Sequence, residues 1–283
     1  MKRIAENFGI AICGLVTSIL VAVADAALAR MIGFDFFTFS IWFVVPVGAV
    51  LTGLAAASGY YFGSLFFHKR AGAALLFQMV LIAGMTQVLI YWFEYKTLVL
   101  DNGLKVANFI PFAQYLDISL TKAHYMLGTR RGVHGDIGEA GKLGYWMASI
   151  QFVGFLAGGI LIWFVLRAKP VCPACDLYLR PLAKRQKTFA DPVSASAYYD
   201  KVFSHPVGSD EFASLMRMKA EVPRPMEGAF HVDTVLLACP ECKGQTIEEK
   251  VKVFNGKQWN EFNHLNRQVS MPKGVNIARL FRR

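Results

Sequence analysis

The chain has 283 residues, 54% hydrophobic and only 18% charged, with 23 phenylalanines, against a soluble norm of roughly 45–50% apolar and about 25% charged. This excludes an intrinsically disordered chain and argues against an ordinary cytosolic enzyme. The net charge of +10 is unevenly spread: residues 1–166 hold 11 basic and 8 acidic side chains, and residues 167–283 hold 19 and 12.

A bilayer's hydrocarbon core is about 30 Å thick, so a spanning helix needs about 20 mostly apolar residues. Lipid offers no partner to backbone N–H and C=O groups, so such a segment must be helical. Four stretches qualify. The first covers about 8–28 and contains one charge, Asp25. Its opening MKR and the small residues of ADAALA suit a cleavable signal peptide, but the apolar run exceeds the usual 7–15 residues, so a retained span is expected. The second stays apolar from Phe36 to Phe67 and must tilt, bend near Pro46 or protrude. The third covers about 72–93 and ends on Glu94, and the fourth covers about 145–166.

Gly59 and Gly63, and Gly154 and Gly158, form GxxxG pairs that suit close helix packing, more readily within one chain than between two. Asp25 and Glu94 are expected at outer ends, in contact with water or headgroups. Gln78, Gln87 and Gln151 are expected to bond between helices. Lys2, Arg3, Lys69, Arg70, Arg167 and Lys169 flank the spans on one side, which places both termini in the cytoplasm of an inner-membrane, multi-pass protein.

The connection 95–144 is then extracytoplasmic. After Pro111, the spacing of Phe112, Tyr115, Leu116, Leu120, Ala123 and Leu127 predicts a helix with one apolar face, packed on the bundle or lying on the outer leaflet. The glycine-rich stretch that follows, 128–144, reads as a loop.

Beyond the fourth span, Cys13 aside, the cysteines form two matching pairs, CPAC at Cys172 and Cys175 and CPEC at Cys239 and Cys242. Two thiolates separated by two residues can grip one ion, and two such knuckles complete a tetrahedral sulfur shell that selects zinc, or less readily iron. Disulfides are disfavoured in the cytoplasm, and a lone CxxC redox couple lacks its βαβ setting here. The 63 intervening residues demand an insertion, which loop-closure entropy tolerates.

The two CPxC knuckles resemble the zinc-ribbon family, over about 171–180 and 231–254. The resemblance implies β-hairpins carrying the knuckles and one shared structural zinc. Where that family often has glycine after the second cysteine, this chain has Asp176 and Lys243. Alternating residues predict strands from Leu177 to Phe189, from His231 to Leu236 and from Thr246 to Val253, with Asn255–Gly256 turning into Gln258–Phe262. Within the insertion, about 191–222, helices are expected over 192–203 and 209–220, the second capped by Ser209. His205, His231 and His264 are expected to be surface or packing residues. The basic tail NIARLFRR, with Ile277, Leu280 and Phe281 between its charges, suits an anionic lipid surface or a nucleic acid.

The fold expected is an all-α transmembrane bundle of four helices (1–168) followed by a small α+β zinc-ribbon-like cytosolic domain with a helical insertion (169–283). The chain contains no nucleophile–base pair, paired carboxylates, phosphate-gripping glycine loop or HExxH motif, so no catalytic residue is assigned. The expected role is a membrane scaffold or regulatory protein that presents the zinc domain to a protein or nucleic-acid partner, or to a second copy. Two alternatives stand beside it. One is a channel or transporter subunit assembled or gated by that domain. The other is a lipid-directed enzyme using Asp25, Glu94, His124 or His134.

Overall fold

The computed structural model describes residues 2–32, 36–41, 45–100, 103–122, 124–128, 134–272 and 274–281. The chain divides into two compact units, Met1–Lys169 and Pro170–Arg283.

The first unit contains α1 (Lys2–Ile32), α2 (Val47–Phe66), α3 (Ala73–Thr97), α4 (Phe112–Thr121), β1 (His124–Gly128), β2 (His134–Glu139) and α5 (Leu143–Arg167). The helices α1, α2, α3 and α5 are long and apolar enough to cross a membrane. The long second apolar stretch is not one helix. α2 begins only after Pro46, which has no N–H to continue a helix upstream. Upstream of it, Phe37 is buried and meets Phe155 of α5 edge-on at 6.1 Å.

Small residues line the inner face of α2, among them Gly48, Ala49, Gly53, Ala56, Ala57 and Gly59. They let backbones approach closely. A Cβ on Gly59 would strike the Cys13 carbonyl of α1, and one on Gly158 would strike the Val50 carbonyl of α2. Both GxxxG pairs therefore face neighbours in the same chain. Thr17 Oγ1 donates to the Ala56 carbonyl at 2.7 Å, and Gln87 Nε2 of α3 donates to Ala148 of α5 at 3.2 Å.

Three expectations need correcting in this unit. Asp25 does not reach water: it is 5% exposed, held within the packed bundle, and Glu94 is half-buried. The amphipathic helix stops at Thr121, so Leu127 belongs to β1, whereas Ala123 lies outside the described residues. Tyr115 of α4 packs with Tyr95 and Val106, and the Tyr95 hydroxyl donates to the Ile110 carbonyl at 2.8 Å. The glycine-rich stretch is not all loop. Its residues 134–139 pair antiparallel with β1, Met126 opposite Asp136, because a neighbouring strand supplies the backbone partners that composition does not reveal.

The second unit contains β3 (Arg180–Phe189), α6 (Pro192–Val202), α7 (Asp210–Arg217), β4 (Phe230–Ala238), β5 (Gln245–Phe254), β6 (Trp259–Glu261), β7 (Arg267–Ser270) and α8 (Ala278–Phe281). The sheet is antiparallel in the order β3-β4-β5-β6, and β7 pairs with the first half of β5 while β6 pairs with its end. Asp191 caps α6 by accepting from the Ser194 N–H at 2.8 Å, and Ser209 caps α7 by accepting from Phe212 at 3.1 Å. Strand periodicity sends Phe189, Val232, Leu236, Ile247 and Val251 to one face, where Tyr198, Val202, Phe212 and Met216 of the two helices cover them.

The tail also departs from expectation. Ile277 and Phe281 are buried in this same core, so α8 uses its apolar side to close the domain and is not an apolar surface for lipid. The last two arginines lie outside the described residues.

The covered face contains ionic groups as well. Register aligns Arg185, Thr234, Glu249 and Arg267 in one row across four strands. Glu249 is 0% exposed; Arg267 approaches it at 2.8 Å and Thr234 Oγ1 donates to it at 3.2 Å. Lys187, 1% exposed, donates to the Met216 carbonyl at 3.2 Å and lies 4.8 Å above the Tyr198 ring. Burial draws its pKa down to about 8, against the pull of Glu249.

Candidate metal centre

The strands β3, β4 and β5 determine where the cysteines lie. Cys172 and Cys175 precede β3, and Cys239 and Cys242 occupy the turn between β4 and β5. Because β3 and β4 run antiparallel with Arg180 opposite Ala238, the start of one and the end of the other meet. A separation of 63 residues in sequence thus becomes adjacency. The four sulfurs all lie within 4.8 Å of one another, with Cys172 Sγ and Cys242 Sγ 3.6 Å apart. A metal with sulfur ligands at about 2.3 Å requires tetrahedral edges of about 3.8 Å, so the donors fit a metal ion.

The two knuckles have the same backbone. Asp176 N–H donates to the Cys172 carbonyl at 2.9 Å, and Lys243 N–H to the Cys239 carbonyl at 3.2 Å. In return, Cys172 N–H donates to Leu177 at 2.8 Å and Cys239 N–H to Gly244 at 2.9 Å. The left-handed conformation often supplied by glycine is present at both places where glycine is missing, with φ 54° at Asp176 and 58° at Lys243. A side chain there costs roughly 1–2 kcal/mol, so the turn is retained against local preference.

Cys172 and Cys239 are buried, Cys175 is half-buried and Cys242 is exposed. Leu179, Leu237 and Val235 pack around them. A hydrogen bond from the Gly244 N–H draws the Cys242 thiol down to about 7, while the hydrogen bond with Cys242 pushes the Cys175 thiol up to about 12.

Among the described residues, no histidine or carboxylate joins this cluster. His231 bonds Thr188 Oγ1 at 3.0 Å and lies 3.4 Å from Asp233, on the face of the sheet opposite the helix-covered one. Asp233 also receives Lys184 at 2.8 Å, Gln186 at 2.8 Å and Lys252 at 3.2 Å. Burial raises its pKa, but these hydrogen bonds outweigh it and hold the carboxyl well below the usual range. Neither this group nor the Glu249–Arg267 pair was singled out in the sequence, although strand parity places Lys187 with Phe189, and Glu249 with Val251, on the covered face.

The outer residues considered for lipid chemistry lie on four different elements. Asp25 and Glu94 lie in different helices. His124 and His134 sit opposite Glu139 and Gly128 in the β1–β2 pairing, and their side chains lie outside the described residues. Comparison with known families, with curated proteins and with solved structures finds no match for this chain. The zinc-ribbon likeness accordingly rests on the knuckles themselves.

Proposed function

We propose that the chain is a four-span membrane protein that holds a zinc-ordered domain at the cytoplasmic face as a docking platform for a protein partner. The observation that carries this reading is the convergence of the four sulfurs. Four thiolates leave no position open for water, so an ion there orders the fold and activates no substrate. Zinc, which has no redox chemistry, suits that role better than iron.

The surfaces of the long helices support the membrane part. Phe8, Phe62, Phe66, Phe77, Trp146 and Val153 all point outward and exposed, which water would penalise and lipid would not. The basic residues flanking the spans favour cytoplasmic termini. Elemental analysis of the purified, reduced full chain should find one zinc per chain. Photo-crosslinkers at the exposed Val193 and Met226 should give a discrete protein adduct in native membranes. Absence of a transition metal would remove the reading of the second unit, and absence of any adduct would remove the docking role.

A further inference from the structure

We propose that Cys242 is a site of oxidation by peroxide whose oxidised sulfur is captured by Cys172, so that the four-thiol cluster senses oxidant as well as holding an ion. The inference rests on the metal reading of that cluster and needs no placement relative to a membrane. Of the four clustered cysteines, Cys172 is 6% and Cys239 1% exposed, Cys175 is half-buried, and Cys242 is exposed. Glu241, Lys243 and Gly244 beside it are exposed too. A Cβ on Gly244 would stand 3.3 Å from Cys242 Sγ, so the missing side chain leaves one flank of the sulfur bare. Gly244 is outside the left-handed region, so the backbone itself does not call for glycine there. A cleft of about 780 Å³, lined in part by Cys239 and Cys242, gives a small oxidant its route.

A thiol that coordinates zinc is a thiolate, and an accessible thiolate beside a second cysteine is what peroxide oxidises first. Cys242 Sγ attacks one oxygen of hydrogen peroxide; the O–O bond breaks, hydroxide leaves and a sulfenic acid remains. Cys172 Sγ, 3.6 Å away, then attacks the oxidised sulfur; the S–O bond breaks, an S–S bond forms and a second hydroxide leaves. The two sulfurs give up two electrons in all, and one peroxide takes them up. Packing against Leu179 and Leu237 shields Cys172 from meeting oxidant first and suits it to the capturing role. The bond uses two of the four thiolates, and Cys175 and Cys239 cannot complete a tetrahedral shell by themselves. A reducing thiol reverses the bond, as befits a transient, sensing disulfide.

The test uses the full chain purified in detergent, its zinc measured before hydrogen peroxide is added. Released zinc, read with a chelating dye, should appear together with a peptide pair joining Cys172 to Cys242 in non-reducing mass maps, and dithiothreitol with added zinc should restore the bound ion. Dimedone, which caps sulfenic acids, should label Cys242 ahead of the other three cysteines of the cluster. Gly244→Ala should keep its zinc in the absence of oxidant and slow the peroxide-driven release by at least roughly fivefold, because the methyl covers the bare flank of the sulfur. Where that variant binds no zinc, the wild-type peptide map and the order of labelling decide. A bond confined to one CxxC pair, first labelling at Cys175, or release from zinc-loaded Gly244→Ala at the wild-type rate would overturn the proposal. A chain purified without zinc refutes the metal reading and the oxidation site with it, whereas a zinc-loaded chain that peroxide leaves loaded refutes the oxidation site alone.

Discussion

The two units bury opposite kinds of residue. Inside the helical unit α2 presents glycine, alanine, serine and threonine, while Phe62 and Phe66 face outward, the latter 78% exposed. Inside the polar unit Phe189, Tyr198, Phe212, Met216, Leu236 and Ile247 form the core. On the proposed membrane reading, the physical reason is the solvent. Where water surrounds a fold, burying large apolar side chains releases it; where lipid does, nothing is gained by hiding phenylalanine, and stability comes from backbones packed closely through small residues. The polar unit also brings four thiols together, which offer a metal staple that the bundle lacks among the described residues.

That contrast can be broken at several points, and the largest effect should come from the metal shell. Cys172→Ser should release the ion and open residues 171–262 to protease while the helices remain inserted, because structural zinc contributes on the order of 10–16 kcal/mol of folding free energy. Unaltered metal content and protease resistance would count against a shared site. Next comes the buried ion pair. Arg267→Met leaves the Glu249 carboxylate uncompensated at 0% exposure and should destabilise the polar unit by about 3–5 kcal/mol in denaturant melts, with zinc still bound at low denaturant.

Lys187 gives a pH signature of similar size. Its folded pKa, about 8, lies below its ordinary value of 10.5, so between those values the unfolded chain holds a proton that the folded chain has given up. Stability assigned to this group should therefore rise with pH across that window, by on the order of 3 kcal/mol in all. Lys187→Met should abolish that part of the slope, as chemical denaturation at several pH values would reveal.

In the bundle, Gly158→Val drives a side chain into the Val50 carbonyl and should cost about 1–3 kcal/mol in detergent unfolding without loss of zinc. The smallest effect is a gain: Lys243→Gly removes a side chain from a left-handed residue and should stabilise the metal domain by about 1 kcal/mol. A loss there would mean that the lysine's bond to the Pro240 carbonyl supports the knuckle.

Much of this was legible in advance. The long apolar runs mark the four helices because a membrane-crossing segment must be almost wholly apolar and has little room for ambiguity. Alternation in residues 231–236 and 246–253 marks β4 and β5, since strand periodicity is local. The strand β7 escaped notice because four residues, Arg267 to Ser270, carry too little pattern to stand out. The paired CPxC motifs named the four candidate ligands, because two-residue spacing is itself a chelating geometry.

Other features depended on contacts between distant parts of the chain. Whether Ile277 and Phe281 face lipid or a core depends on the surface they meet, and only the assembled sheet and helices provide it. Asp25 in the bundle and Glu249 in the sheet are hydrophilic by type yet buried by position, for the same reason. The sequence by itself determined which residues could form helices, strands and thiolate knuckles, because those choices are made over a few neighbouring residues. Only the tertiary structure decided that Cys172 and Cys242 would sit 3.6 Å apart across 70 residues, because that distance is set by antiparallel register between β3 and β4.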